Sequence, residues 1–238
     1  MFRLVLGVHL ACAFGAAAVF WIPLFAAKGG PIHVGAGRLY VRLIYLTALT
    51  GAPLALLMLL SATDTSARHT AAFLGYLLTI LVMPVHHGVR VVRARRPGAR
   101  VGSPLHTALA VSAIAAGLAL GAAAIAWREW PFLLMSPIGP LLGVRALNST
   151  RLNFPGPTNG GNSTGLNYDW REEHIIFMVM SGIAVHTAML VFGTTRTLHM
   201  TFTGVAAYLP WLLPAVIGLP LLLMRIKQER RGRTATSP

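Results

Sequence analysis

The stretch LHTALAVSAIAAGLALGAAAIAW, residues 105–127, contains no Lys, Arg, Asp or Glu. A helix needs about 20 predominantly apolar residues to cross the hydrocarbon core of a bilayer, and this run is long enough. Similar runs recur along the 238-residue chain, in which 55% of residues are hydrophobic and 11% are charged. The sequence therefore predicts an all-α, polytopic bundle of transmembrane helices and excludes most soluble enzymes.

Seven apolar runs are candidate spans in a single transmembrane domain over residues 1–227. They cover residues 4–27, 39–61, 70–92, 105–127, 131–147, 174–195 and 203–224. The fifth run is short and contains Pro131, Pro137 and Pro140, so it either crosses as a kinked helix or lies at the interface. Residues 228–238 are predicted to form a polar, disordered cytoplasmic tail.

The basic residues predict the orientation of the spans. They are concentrated in the first connection, in the third connection (including Arg95, Arg96 and Arg100) and in the C-terminal tail. The positive-inside rule places these segments inside a bacterial inner membrane, with the N-terminus outside and the C-terminus in the cytoplasm. That orientation needs an odd number of crossings, so we expect the fifth run to cross.

The partners expected from the composition are the lipid bilayer and, at the basic connections, anionic lipids. A net charge of +14 in a soluble chain would suggest nucleic acid, but here the basic residues flank apolar runs, and no nucleic acid is expected. Gly117 and Gly121 form a GxxxG pattern, which serves close helix packing within the chain or in a homo-oligomer. Cys12 is the single cysteine, so an intrachain disulfide is excluded.

The predicted spans contain no Asp or Glu, which disfavours a transporter or pump driven by intramembrane carboxylates. Signatures of common hydrolases and nucleotide-binding enzymes are absent from the sequence, so no catalytic residue is predicted. The chemistry that remains rests on nine histidines. Imidazole ligates haem iron and other metal ions, and it transfers protons near neutral pH.

The expected orientation places several histidines toward the inner face. His86, His87, His106 and His174 are candidate ligands of a haem b or of a metal ion whose identity the sequence leaves undefined. His33, Arg38 and His174 are candidates for a substrate site, because an arginine beside histidines can hold an anionic head group or phosphate. His9, His69 and His199 are expected toward the outside, and His186 near the middle of the membrane, where an interhelical hydrogen bond is the alternative to a functional role.

Several stretches, in order, resemble a bacterial family of integral membrane proteins named domain of unknown function 2306. They are His9 in the first span, KGGPIHVGAGRLYV at 28–41, GVRVVRARR at 88–96, WREEHIIFMVMSGIAVHTAMLVFG at 170–193 and LPWLLPAVIGLPLL at 209–222. The resemblance implies a compact bundle of about seven spans and no established activity. It singles out His9, His33, Gly37, Arg38, His174 and Trp211, whereas His86, His87 and His186 depart from the family pattern.

Three functions follow as hypotheses. The first is a transporter-like or accessory membrane protein that handles a small molecule or lipid at an inner-face polar site of His33, Arg38 and His174. The second is a haem- or metal-binding redox protein that uses the inner-face histidines. The third is a structural membrane component without a site, in which histidine substitutions affect stability alone.

Overall fold

The computed structural model describes residues 2–94, 101–151, 169–193 and 203–234. Within these ranges the chain is helical and contains no β-strand. Seven helical segments are long and apolar enough to cross a membrane, which confirms the all-α bundle predicted from the apolar runs. His199 and the arginines Arg95, Arg96 and Arg100 lie outside the described residues.

Eight α-helices form these segments. They are α1 (Phe2–Phe25), α2 (Pro31–Ser61), α3 (Thr65–Ala94), α4 (Pro104–Trp127), α5 (Trp130–Met135), α6 (Ile138–Arg151), α7 (Trp170–Ala188) and α8 (Leu209–Thr234). A π-helical turn, Met189–Gly193, continues α7, and a 3-10 turn, Gly204–Tyr208, precedes α8. Helices α5 and α6 together make the fifth membrane-length segment.

Helices α3 and α7 lie at the centre of the bundle. Helix α3 contacts α2, α4, α6 and α7, and α7 also contacts α1 and α8. The buried core between them includes Tyr40, Val85 and Ile183. Helices α1, α3, α6 and α8 end, and α2, α4 and α7 begin, at one end of the bundle. We call it the basic end, because Lys28, Arg90 and Arg225 lie there.

Helices α2, α3 and α7 begin four or more residues earlier than the apolar runs predict, and α3 begins at Thr65, not at residue 70. Helix α2 begins at Pro31, not at residue 39, so His33 and Arg38 are helical. Helix α7 begins at Trp170, not at residue 174, because the Asp169 side chain accepts a hydrogen bond from the Arg171 backbone N–H at 2.6 Å. The prediction that the spans contain no Asp or Glu is therefore wrong, since Glu173 lies inside α7 and is wholly buried.

The fifth segment is a broken helix that packs tightly on α4. The break falls between α5 and α6, where Pro137 cannot continue the hydrogen-bond ladder. A Cβ atom placed on Gly143 of α6 would lie 2.6 Å from the Ala110 carbonyl oxygen, so glycine is required for this approach. Gly117 and Gly121 of the GxxxG pattern face Ser136 of the same chain, so within the described residues this pattern serves intrachain packing.

The prediction of a disordered tail from residue 228 is wrong for residues 228–234, which continue α8. Two ion pairs hold this last part of α8 against the first turn of α7. Arg230 binds both carboxylate oxygens of Glu172 at 2.9 and 2.7 Å, and Arg171 lies 3.1 Å from Glu229. Both pairs are exposed, so each contributes little stability alone, but together they fix the direction of the helix end.

The close packing of α4 against the fifth segment gives a stability prediction. In Gly117→Ala, the new Cβ would lie 2.6 Å from the Ser136 carbonyl oxygen, and a backbone atom cannot move away as a flexible side chain can. We expect this substitution to cost about 1–3 kcal/mol, as overpacked core sites do. Thermal unfolding of the detergent-purified protein measures it.

Gly75→Ala is the matched control, because a Cβ at Gly75 would meet no atom within 4 Å. Alanine is the better helix former, so this variant should unfold at the wild-type temperature or above it. Equal melting temperatures for the two variants would contradict the packing described for Gly117.

Candidate functional site

The first turn of α7 carries two ionisable side chains into the bundle at the basic end. Glu173 and His174 follow each other in sequence, so they point about 100° apart around the helix. Glu173 contacts Arg145 of α6 and His87 of α3. His174 contacts the backbone of α3 at Gly88 and lies beside His33 of α2. The first turn of α7 therefore contributes one residue to each of two groups of polar residues, Glu173 to the first and His174 to the second.

Glu173 and Arg145 form an ion pair within the bundle. The Arg145 Nη2 atom lies 2.5 Å from Glu173 Oε1. The two partners differ in accessibility, because the Glu173 side chain is 0% exposed and the Arg145 side chain is 36% exposed. A buried carboxylate needs such a partner, since an unpaired charge in an apolar interior is costly. The arginine is therefore the more accessible member of the pair.

A chain of two histidines begins at the same carboxylate. His87 Nε2 lies 3.5 Å from Glu173 Oε2 and 3.3 Å from Ser149 Oγ. The Ser149 hydroxyl donates to the Ala146 carbonyl oxygen, so it accepts from His87, and the proton of neutral His87 is on Nε2. His87 Nδ1 then accepts from His106 Nε2, 2.8 Å away. We call Glu173, His87 and His106 the carboxylate–histidine chain.

The carboxylate–histidine chain ends at His106, whose Nδ1 atom is a hydrogen-bond acceptor without a partner among the described residues. With the proton of His106 on Nε2, its Nδ1 atom carries a lone pair, and it is buried without a hydrogen-bond partner among the described residues. The His86 ring lies 6.1 Å from the His106 ring, centroid to centroid, and its Nδ1 atom contacts the Tyr45 hydroxyl at 3.2 Å. Polar atoms buried in this way usually bind an ordered water or an ion.

The structure thus brings together three of the four histidines predicted as haem or metal ligands, His86, His87 and His106. It places His174 separately, across α3. Both ring nitrogens of His87 already have polar neighbours, which leaves neither free for a metal ion. The described residues contain no group of three or more His, Cys, Asp or Glu side chains arranged to hold a metal ion. This geometry does not fit a haem or a metal ion bound through His87.

Of the three predicted substrate-binding residues, the structure pairs two. The rings of His33 and His174, which we call the histidine pair, lie 6.4 Å apart between centroids. His33 Nδ1 donates to the Pro23 carbonyl oxygen and His174 Nδ1 to that of Gly88, both at 2.9 Å. Arg38 is exposed and lies five residues after His33, about 140° around α2, so it does not join the histidine pair.

Lys28 is a charged residue close to His33 of this pair. It lies in the short turn between α1 and α2, in which Gly29 adopts a positive φ of 78°. The Lys28 ammonium donates to the carbonyl oxygens of Pro23 and Leu24, both at 2.9 Å, and so shares the Pro23 carbonyl with His33. Partial burial and the nearby Arg225 guanidinium lower the pKa of Lys28 to about 8.

The other described histidines have structural contacts. His9 packs between α1 and α2, where its Nδ1 lies 3.0 Å from the Thr47 carbonyl oxygen. His186 donates from Nδ1 to the Gly182 carbonyl oxygen and accepts from Trp21, the interhelical role expected for it. His69 stacks on Trp127. Trp211, which the family resemblance singled out, lies in an aromatic cluster with Phe73.

Glu173 and Arg145 are not among the site residues predicted from the sequence. Glu173 precedes the apolar run at 174 by one residue, so hydropathy places it in a connection. Arg145 lies inside the predicted fifth span at 131–147. A charged residue within a span was the available signal, because such residues rarely face lipid and usually pair inside the bundle.

Comparison with known proteins gives no match for this chain among protein-family models, curated proteins or solved structures.

The environment of Lys28 gives a direct chemical prediction. In Lys227→Arg, Lys28 is the one lysine of the chain, so its labelling by acetic anhydride can be followed against pH and assigned by peptide mass spectrometry. The neutral amine is the reactive form, and we expect half-maximal reactivity near pH 8, because burial and Arg225 disfavour the ammonium. A midpoint near the ordinary value of 10.5 would contradict the contacts described for Lys28.

Proposed function

We propose that this protein is a proton-linked membrane transporter of a small anion, with Arg145 and Glu173 at its binding site. The observation that carries the proposal is the ion pair between a partly exposed arginine and a wholly buried carboxylate. Ionisable residues inside a transmembrane bundle are costly, and they commonly mark the pathways of substrates, ions and protons. The proposal specifies the first hypothesis drawn from the sequence, with Arg145 in place of Arg38 as the anion-binding arginine.

Arg145 has the chemistry that an anion site requires. Its guanidinium is planar, permanently charged and able to bind a carboxylate or phosphate through two parallel hydrogen bonds. In the structure one oxygen of Glu173, Oε1, accepts a hydrogen bond from this guanidinium, so Glu173 is an internal carboxylate ligand. An anion that enters from the exposed side of Arg145 competes with Glu173 for the guanidinium.

Displacement of Glu173 provides the link to protons. A carboxylate that loses its counter-ion in an apolar interior is neutralised by protonation, because the isolated charge is too costly to bury. His87 lies 3.5 Å from Glu173 Oε2, and His106 continues the chain, so imidazole groups are in place to deliver the proton. Anion binding and proton uptake are then coupled, and the coupling free energy is the same in both directions.

Proteoliposomes that contain a pH-sensitive dye test this function. We would apply inward gradients of membrane-impermeant anions, namely inorganic phosphate, succinate and citrate, and record acidification of the lumen. The wild-type protein should give anion-dependent acidification with at least one of them. Glu173→Gln and Arg145→Gln should abolish it, because the first removes the proton-binding carboxylate and the second removes the anion-binding guanidinium.

Glu229→Gln is the matched control, since Glu229 also pairs with an arginine but lies at the exposed end of α8. It should transport as the wild type does. Absence of acidification with every anion for correctly folded wild-type protein would contradict the proposal. Equal transport by Glu173→Gln and the wild type would contradict the role of the ion pair and leave the anion site elsewhere.

The setting proposed for this activity is a bacterial inner membrane with the basic end facing the cytoplasm. Support comes from the basic residues at that end, which the positive-inside rule places inside and which suit contact with anionic lipids. We also propose membership in the family named domain of unknown function 2306, on the ordered motifs quoted above. Of the positions that those motifs single out, His33 and His174 form the histidine pair.

A further inference from the structure

Helices α2 and α7 face each other in register near the basic end. His33 lies beside His174, and seven residues later on each helix the Tyr40 hydroxyl lies 2.7 Å from Ser181 Oγ. Seven residues are close to two helical turns, so each helix presents its two residues on the same face. The facing surfaces are therefore joined at two levels, one at the histidine pair and one at Tyr40.

Between these levels the two helices present Gly37 and Met178. Each lies four residues after its histidine, on the same face. A Cβ atom added to Gly37 would meet no atom within 4 Å, so there is open space on this side of α2. The Met178 Sδ atom lies beside Gly88 of α3. A Cβ atom added to Gly88 would be 2.9 Å from this sulfur. His174 binds the carbonyl oxygen of the same glycine.

The backbone contacts of the histidine pair determine where its protons are. A carbonyl oxygen can only accept a hydrogen bond, so Nδ1 of His33 and Nδ1 of His174 both carry the proton. Each neutral ring then has its lone pair on Nε2, and neither Nε2 atom has a hydrogen-bond partner among the described residues. A backbone carbonyl bound to Nδ1 is the usual way in which proteins orient a histidine that ligates a metal through Nε2.

From this geometry we infer that His33 and His174 form a copper(I) site, with the Met178 thioether as a third ligand. Imidazole and thioether groups together suit copper(I), a soft ion, better than zinc or magnesium. Zinc would need about four ligands, and no group of three His, Cys, Asp or Glu side chains stands together among the described residues. The Lys28 charge close to His33 also favours a monovalent ion over a divalent one.

The site is separate from the anion site of the proposed function. Its ligands lie between α2 and α7, whereas Arg145 reaches Glu173 from α6. Copper binding therefore neither requires nor excludes anion transport, and each can be tested alone.

Copper(I) titration of the detergent-purified protein tests the site. The titration is anaerobic, with a chromophoric copper(I) chelator as competitor. We expect one copper(I) ion per chain. His33→Asn and His174→Asn keep a side-chain N–H near the position of Nδ1 but remove Nε2, so they should remain folded and lose at least about 10- to 100-fold in affinity.

Met178→Leu preserves volume and removes the sulfur, and it should weaken binding by a smaller factor. His69→Asn and Met180→Leu are matched controls, because His69 lies at the opposite end of the bundle and Met180 is two residues from Met178, on a different face of α7. Both should bind copper(I) as the wild type does. Thermal unfolding without metal verifies that each variant is folded.

Failure of the wild-type protein to bind stoichiometric copper(I) would overturn the inference. So would wild-type affinity in folded His33→Asn or His174→Asn. Unchanged affinity in Met178→Leu would overturn the part assigned to the thioether. Tighter binding of zinc than of copper(I) by the same residues would overturn the assignment of the metal.

Discussion

The ion pair between Arg145 and Glu173 is the interaction on which the polar interior of this bundle depends. A carboxylate that is wholly buried among apolar helices requires a counter-ion. The ion pair also connects α6 to the first turn of α7. Removing one partner of such a pair leaves the other charge uncompensated, so the two residues are needed together. His87 and His106 are polar groups that the protein can bury because they end on this carboxylate.

Close backbone packing makes that ion pair geometrically possible. Gly143 allows α6 to approach the Ala110 carbonyl of α4, and Arg145, two residues further along, then reaches toward α7. In α7, the Asp169 cap starts the helix before the apolar run begins. Glu173 is therefore helical, and its side chain points into the bundle. A small residue and a helix cap, neither of which carries chemistry, therefore position the site.

The apolar runs sufficed to predict seven spans, because burial in lipid demands runs of this length. They did not predict where α2 and α7 begin, since helix starts depend on local groups such as Pro31 and Asp169 and not on hydropathy. The sequence grouped His86, His87, His106 and His174 at one face, and the structure brings the rings of the first three near one another. The sequence could not predict that both ring nitrogens of His87 have polar neighbours, because Ser149 and Glu173 belong to other helices.

Arg38 shows a second limit of the sequence, since residues near one another in the chain diverge around a helix once it starts at Pro31.

A double-mutant cycle on Arg145 and Glu173 measures the interaction between these two residues. Unfolding free energies of Arg145→Gln, Glu173→Gln and the double variant would be measured in one detergent. We expect each single variant to be destabilised and the double variant to recover part of the summed loss, with a coupling free energy of about 1–3 kcal/mol. Additive losses, with no coupling, would contradict it.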